Sequence, residues 1–582
     1  MSAESLSRRR LFHYLTAIGL GSSAFPDALW AQLDAGETPE GGLAYRAPGN
    51  GPPPAEITPE VVAVAERIAG LTFTQPEREL MVEGLNDALK DYDSLRAVAV
   101  PNGLVPAIGF DPTLGRPVPS GTERGLRYRR PRVVRPESDS ELAFLPVTHL
   151  AELIRTRRVS AEELTRIYLN RLHRYGKTLE CVITVTEERA LEQARRADAE
   201  LARGRYRGPL HGIPWGAKDL LAARGYPTTW GARPYQDQTI DQDATVVRRL
   251  DEAGAVLVAK LTLGALAWGD VWFGGKTRNP WDLEQGSSGS SAGPASATVA
   301  GLVGFSIGSE TWGSIVSPCT RCGATGLRPS FGRVSRHGAM ALSWSMDKLG
   351  PICRTVEDCA VVFDAIAGPD GRDPSVRDVP RGYDGTRDIS TLRVGYFQAA
   401  FEEDGPTMAH DTAALGALRD LGVDPQPVEL PQPFPTGALG FVLSAEAAAA
   451  FDELTRSGRD DLLVRQIADA WPNVFRQARF IPAVEYLQAN RLRTMLIQAT
   501  DAALENIDVL VTPSFGRDIL LRTNLTGHPA VVVPSAFAEG IPASSLSFIG
   551  RLYDEESPLL LARAWQDATG YHRAHPPAFG DR

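Results

Sequence analysis

Residues 287–328, SSGSSAGPASATVAGLVGFSIGSETWGSIVSPCTRCGATGLR, carry few bulky side chains yet are not polar throughout. A flexible Gly/Ser tether would be hydrophilic along its whole length. Here a run with helical character (residues 295–303) passes into a strand-like run (303–307). Small residues in that setting let backbones approach closely and present their N–H groups. The stretch therefore reads as part of a packed fold. Upstream, HGIPWGAKDL at residues 211–220 sets one lysine at the end of what otherwise reads as a buried strand.

A serine becomes a nucleophile near neutral pH when a nearby base removes its proton. The chain has nine histidines. None falls in the small-residue stretch, and only His211 lies in the upstream motif. Lys218 is the better base, because burial disfavours an ammonium and lowers a lysine's pKa. Ser-Lys versions of the serine-hydrolase arrangement exist. Taken singly, a Ser-rich loop is usually structural and a lysine after a strand is usually solvated. Residues 289–293 also satisfy G-x-S-x-G, the nucleophile elbow of another hydrolase class. That elbow needs an apolar strand just before it, and residues 279–286, NPWDLEQG, read as a loop.

GIPWGAKD, NPWD (279–282), SGSSAGP (288–294), GSETWGSI (308–315) and GLRPSFGRVSR (326–336) follow one another in an order and spacing that resemble the amidase signature family. The similarity runs from about residue 145 to about residue 578. It implies a three-layer α/β/α domain on a large mixed sheet. It also implies Lys218 as base, Ser290 as a relay serine entered through a cis peptide bond, and Ser314 as nucleophile. The backbone N–H groups of Thr311, Trp312, Gly313 and Ser314 would form the oxyanion hole. Three departures stand out. Ser288 and Ala292 replace glycines of the cis-serine loop, Trp312 stands where Gly is usual, and Val316 stands where many members have Arg.

The N-terminus reads SRRRLF at residues 7–12, ahead of a weakly apolar run to about residue 25, which has the form of a twin-arginine export signal over residues 1–31. That run is too short and too rich in Gly and Ser to span a bilayer. A Gly/Pro-rich linker (32–57) and a helical hairpin plus extended belt (58–143) follow. Thr58-Pro59 starts the first helix, and Thr74 to Glu77 gives the second a capping box. The hairpin and belt weakly resemble the small C subunit of tRNA-dependent amidotransferases, suggesting a fused equivalent packed on the catalytic domain (144–582). Within that domain residues 371–479 are the least patterned and could form a cap. The arginines at 124, 127, 129, 130, 132 and 135 read as a solvated or acid-paired belt, since a net charge of −10 argues against nucleic acid as a partner.

Five cysteines make no disulfide framework. Cys319 and Cys322 form a C-x-x-C with no second pair at zinc spacing, so core packing is the expectation, although an oxidising compartment would leave a disulfide open. His528 reads as a strand-entry residue.

The expectation is thus an exported amidohydrolase that cleaves a small-molecule carboxamide through an acyl-serine. It would use no metal or organic cofactor, its partner during export would be the Tat translocase, and it would have no membrane association after processing. Trp230, Trp268, Trp272, Met340 and Trp344 are candidates for the substrate pocket. Two other readings stay open: an ammonia-generating subunit like the larger catalytic one of the amidotransferases, and a catalytically idle binding protein.

Overall fold

The computed structural model describes residues 56–98, 101–104, 108–431 and 434–580. The export signal expected over residues 1–31 lies outside them. The chain divides into two compact units, residues 1–101 and 102–582.

The described part of the first unit is a helical pair, α1 (Pro59–Ala69) and α2 (Gln75–Arg96). Thr58 caps α1, Pro59 opens it, and Gly70 closes it in the left-handed conformation. The Thr74 end differs from the expected box. The Glu77 carboxylate accepts both the backbone N–H and the hydroxyl of Thr74, at 2.6 and 2.7 Å. Asn86 of α2 bonds both ways with the backbone of Ile57, at 3.0 and 3.1 Å.

The second unit is built on a mixed eleven-stranded sheet. In chain order its strands are β1 (Val182–Val185), β2 (Pro214–Lys218), β3 (Val256–Leu261), β4 (Phe305–Glu310), β5 (Thr325–Arg328), β6 (Lys348–Cys353), β7 (Val394–Phe397), β8 (Gln426–Val428), β9 (Val509–Pro513), β10 (Ala530–Ala538) and β11 (Ile541–Gly550). Across the sheet they run β8-β7-β9-β11-β10-β5-β6-β4-β2-β3-β1. β2 is parallel to both β3 and β4, while β4, β6, β5, β10 and β11 pair antiparallel in turn. β2 and β3 are buried along their whole length, as strands covered on both faces must be. Successive β3 residues feed different cores: Leu257 enters the largest, and Val256 and Val258 enter a second with helix α3 (Ala161–Leu179). Ser160 and Glu163 form a capping box at the start of α3.

Residues 108–143 run as a belt over this unit. Phe110 packs edge-on against Phe331 at 5.1 Å, and the Arg493 guanidinium lies over its ring. Residues Gly125–Arg127 pair in parallel with Gly382–Asp384. Arg124 and Arg135 pair with Glu556 and Glu163, at 2.8 and 2.7 Å.

The span 371–479 is not a single cap. β7 and β8 lie within it and complete one edge of the sheet, parallel to each other, with β7 also parallel to β9. The helix Met408–Asp420 lies between these two strands, and the helices Phe441–Ala450 and Trp471–Ala478 follow them.

Candidate active site

Lys218 ends β2 with its side chain completely buried. Its amine contacts three hydroxyls: Ser290 Oγ at 2.8 Å, Ser309 Oγ at 2.8 Å and Ser291 Oγ at 3.1 Å. Burial holds its pKa well below the ordinary lysine value, opposed by the more distant carboxylates of Asp347 and Glu310. Lys260 on the neighbouring strand is equally buried but forms an ion pair with Asp219 at 2.6 Å. Two adjacent lysines are thus set up for different work. One is a paired cation, and the other is an amine among hydroxyls.

Ser290 enters through a cis Gly289–Ser290 peptide bond. Gly289 is required by contact: a Cβ there would lie 1.9 Å from the carbonyl oxygen of Gly269. The Ser291 hydroxyl is fully committed. It donates to the Ser309 carbonyl and accepts from the Ser309 N–H, each at 3.1 Å, and it also accepts from Lys218. The Ser291 N–H donates to the Ser314 carbonyl at 3.1 Å, which ties the cis-serine loop to the loop carrying Ser314.

Ser314 follows β4 by a turn whose geometry is set from beneath by Glu310. One carboxylate oxygen accepts the N–H groups of Ile315 and Val316, at 2.8 and 2.9 Å. The other accepts from Arg328 and Asn524, at 2.9 and 2.8 Å. Burial pushes the Glu310 pKa up, but Arg328 and these hydrogen bonds outweigh it and keep the group below its usual value. The N–H groups of Thr311, Trp312, Gly313 and Ser314 donate to no acceptor among the described residues. Gly313 has φ +87°, a conformation that side chains with a Cβ disfavour. Trp312 is 45% exposed, beside Gly440.

The aromatic candidates divide. Trp230 donates its backbone N–H to the Asp219 carbonyl, and Met340 donates its own to that of Leu220, so both adjoin the lysine loop. Trp268 precedes Gly269, which presses on the cis-serine loop, and the Arg465 guanidinium lies 4.3 Å from its ring centre. The indole N–H of Trp272 instead donates to the Glu180 carbonyl, and that of Trp344 to the carbonyl of Asn102. Cys319 and Cys322 are free and buried with Ile315, Val316 and Val532. His528 is buried, 3.3 Å from Asp501, just before β10.

Ser291 and Ser309 are partners of the amine that sequence reasoning does not assign. Both lie inside the motifs quoted for the resemblance, so adjacency is the available signal. What the sequence lacks is the register of β2 on β4, which pairs Ala217 with Ile307 and so brings Ser309 beside Lys218.

A profile of the Amidase family matches residues 163–521. The chain belongs to the amidase family. It is 34% identical over 487 residues to the A subunit of glutamyl-tRNA(Gln) amidotransferase from Moorella thermoacetica, covering 75% of this chain and 99% of that relative. Among solved structures it resembles the native peptide amidase of Stenotrophomonas maltophilia, with a TM-score of 0.65 and 30% identity over 75% of this chain and 98% of that one. An amidase family protein of Bacillus anthracis gives 0.66 and 25%, over 75% and 94%. The amidase-signature fold expected from the motifs is therefore present.

Proposed function

We propose that the chain hydrolyses a carboxamide C–N bond through an acyl intermediate on Ser314. The observation that carries this reading is the Lys218 amine. It is buried, has no carboxylate in contact among the described residues, and lies 2.8 Å from a serine hydroxyl in a loop tied to Ser314.

In this reading Lys218 accepts the Ser290 proton as Ser290 accepts that of Ser314, and Ser314 Oγ adds to the substrate carbonyl. The free N–H groups of residues 311–314 receive the developing oxyanion; one such donor is worth about 10²–10³ in rate. Reversal of the relay protonates the leaving nitrogen, the C–N bond breaks, and water then releases the acyl group by the same path. Ser291 supports the relay by fixing where protons sit. With its own proton donated to Ser309, it can only accept from Lys218, so one N–H of the neutral amine points to Ser291. A second N–H donated to Ser309 leaves the lone pair for Ser290.

Trp312 and Trp268 beside the loops favour an aryl or apolar acyl group. Export is part of the proposal, supported by Arg8, Arg9 and Arg10 ahead of a weakly apolar run. No helix among the described residues is long and apolar enough to cross a membrane. An ammonia-releasing role is a second reading, favoured by the 34% identity to the amidotransferase relative.

The deciding experiment incubates the purified chain with a fluorophosphonate probe and with a panel containing glutamine, a peptide amide and an aryl amide. An adduct on Ser314, with turnover of a peptide or aryl amide, supports the hydrolase. Turnover of glutamine alone supports the second reading, and no adduct rejects both.

A further inference from the structure

Residues 341–347, which lead into β6, make no hydrogen bond to Lys218 or Ser290 among the described residues, yet several parts of the unit grip them. Arg493 donates to the Ser345 hydroxyl and carbonyl at 2.8 and 2.9 Å, and Arg336 to the Trp344 carbonyl at 2.7 Å. From the start of the unit, Asn102 accepts the Ala341 N–H at 2.7 Å and donates to the carbonyls of Ala341 and Ala450, at 3.0 and 3.3 Å. From the helix Phe441–Ala450, Glu446 accepts four hydrogen bonds. These come from Ser343 Oγ at 2.6 Å, Ser345 N at 3.0 Å, Ser345 Oγ at 2.7 Å and Tyr486 OH at 3.0 Å. From the sheet side, Asp347 accepts the N–H groups of Leu342 and Ser343, at 2.8 and 3.0 Å, and the Thr311 hydroxyl at 2.6 Å.

Thr311 is the first residue of the loop with free N–H groups. Its hydroxyl has no other partner among the described residues. Asp347 forms no ion pair among them; its hydrogen bonds join the segment to the loop, and its carboxylate also acts through space on Lys218. Glu446, Ser343, Ser345 and Thr311 are each buried, at 7, 0, 8 and 5% exposure. In such a low-dielectric setting charged acceptors bind strongly and set position, and an unmade bond is costly. The path from helix to loop is continuous: Glu446, Ser343, Asp347, Thr311.

We propose that residues 341–347 form a bracket through which the helix Phe441–Ala450 sets the position of the 311–314 loop, making Glu446 and Asp347 positioning residues for the step at Ser314. The inference rests on the reading of Ser314 as nucleophile. It assigns Glu446 an effect on the rate of bond formation and none on the affinity of the reagent.

The test follows phosphonylation of Ser314 by a fluorophosphonate, separating the limiting rate kinact from the half-saturating concentration KI. The variants are Glu446→Gln, Thr311→Val and the double substitution. Interacting residues give non-additive effects, and independent ones add. Glu446→Gln is expected to lower kinact about tenfold with KI within about twofold, part of the loss that follows complete removal of an oxyanion donor. Thr311→Val is expected to lower it at least as much, and the double variant no further than Thr311→Val alone. Losses that multiply, a change confined to KI, or no change would overturn the inference. If Glu446→Gln fails to fold, Ser343→Ala takes its place in the cycle with the same expectations. A wild-type chain left unlabelled at Ser314 would overturn the nucleophile reading and the inference with it, whereas a labelled wild type with multiplying losses overturns the inference alone.

Discussion

Asp219 and Lys260 form an ion pair of 2.6 Å in which neither side chain reaches solvent. Asp219 also accepts the N–H and hydroxyl of Thr229, at 2.8 and 2.5 Å, while Lys260 donates to the Pro227 carbonyl and to Thr228. The pair stands one residue beyond Lys218 and fixes the loop after it. Asp219→Ala would leave a buried ammonium without its counter-ion, at a cost of about 3–5 kcal/mol. The urea midpoint should fall accordingly. A midpoint unchanged from wild type would mean that the pair does not stabilise the fold.

Lys218 gives the clearest pH signature. Its pKa is lowered by burial, and the base must be neutral to accept a proton. Activity should therefore rise with pH through that lowered pKa, with the acid limb well below the range of an ordinary lysine. Stability follows the same sign. Between the folded and unfolded pKa values the unfolded chain binds more protons, so wild type should gain stability relative to Lys218→Met as pH rises toward about 10. Parallel stability curves for the two proteins would contradict a buried, titrating amine.

Ser309→Ala tests the hydroxyls around that amine. Ser309 accepts from Lys218, and removing an acceptor disfavours the charged form. The acid limb of the rate profile should move to lower pH while the plateau falls, because the lone pair is less well aimed. A limb that stays in place would show that Ser309 is not an acceptor in solution.

Gly313→Ala addresses the loop backbone. At φ +87° a Cβ is strained, and it would lie 3.0 and 3.1 Å from Ser317 and Leu520. Relief of that strain must turn the adjoining N–H groups, so phosphonylation of Ser314 should slow by about 10²-fold, the scale of one lost oxyanion donor. Wild-type rates in this variant would place the oxyanion donors elsewhere.

Trp312→Gly should leave the melting temperature nearly unchanged, since the ring is 45% exposed. It should instead lower KM for amides with bulky acyl groups. If KM is unmoved across acyl sizes, the ring does not border the substrate.

How much of this is readable in the chain depends on sequence distance. Lys218, Ser290 and Ser314 stand in compact motifs, and the small residues that let their loops meet are written beside them. Glu446 and Asp347 carry no such mark. Their contacts reach Ser343 and Thr311 across 103 and 36 residues, and an isolated carboxylate in a helix or before a strand looks like any solvated one. Trp272 and Trp344 flank the motifs of the site and so point to the pocket in sequence, but the direction of an indole depends on which carbonyl is nearby, and that is set by tertiary packing. β7 and β8 are hard to separate from a cap because they are short, and Gly395 and Pro427 blunt their pattern.

All five thiols of the chain are enclosed. A cysteine introduced at position 312 would then be the one thiol that a maleimide dye could reach without unfolding the protein. Fluorescence from that single handle would report motion of the 311–314 loop, with no native cysteine first having to be removed.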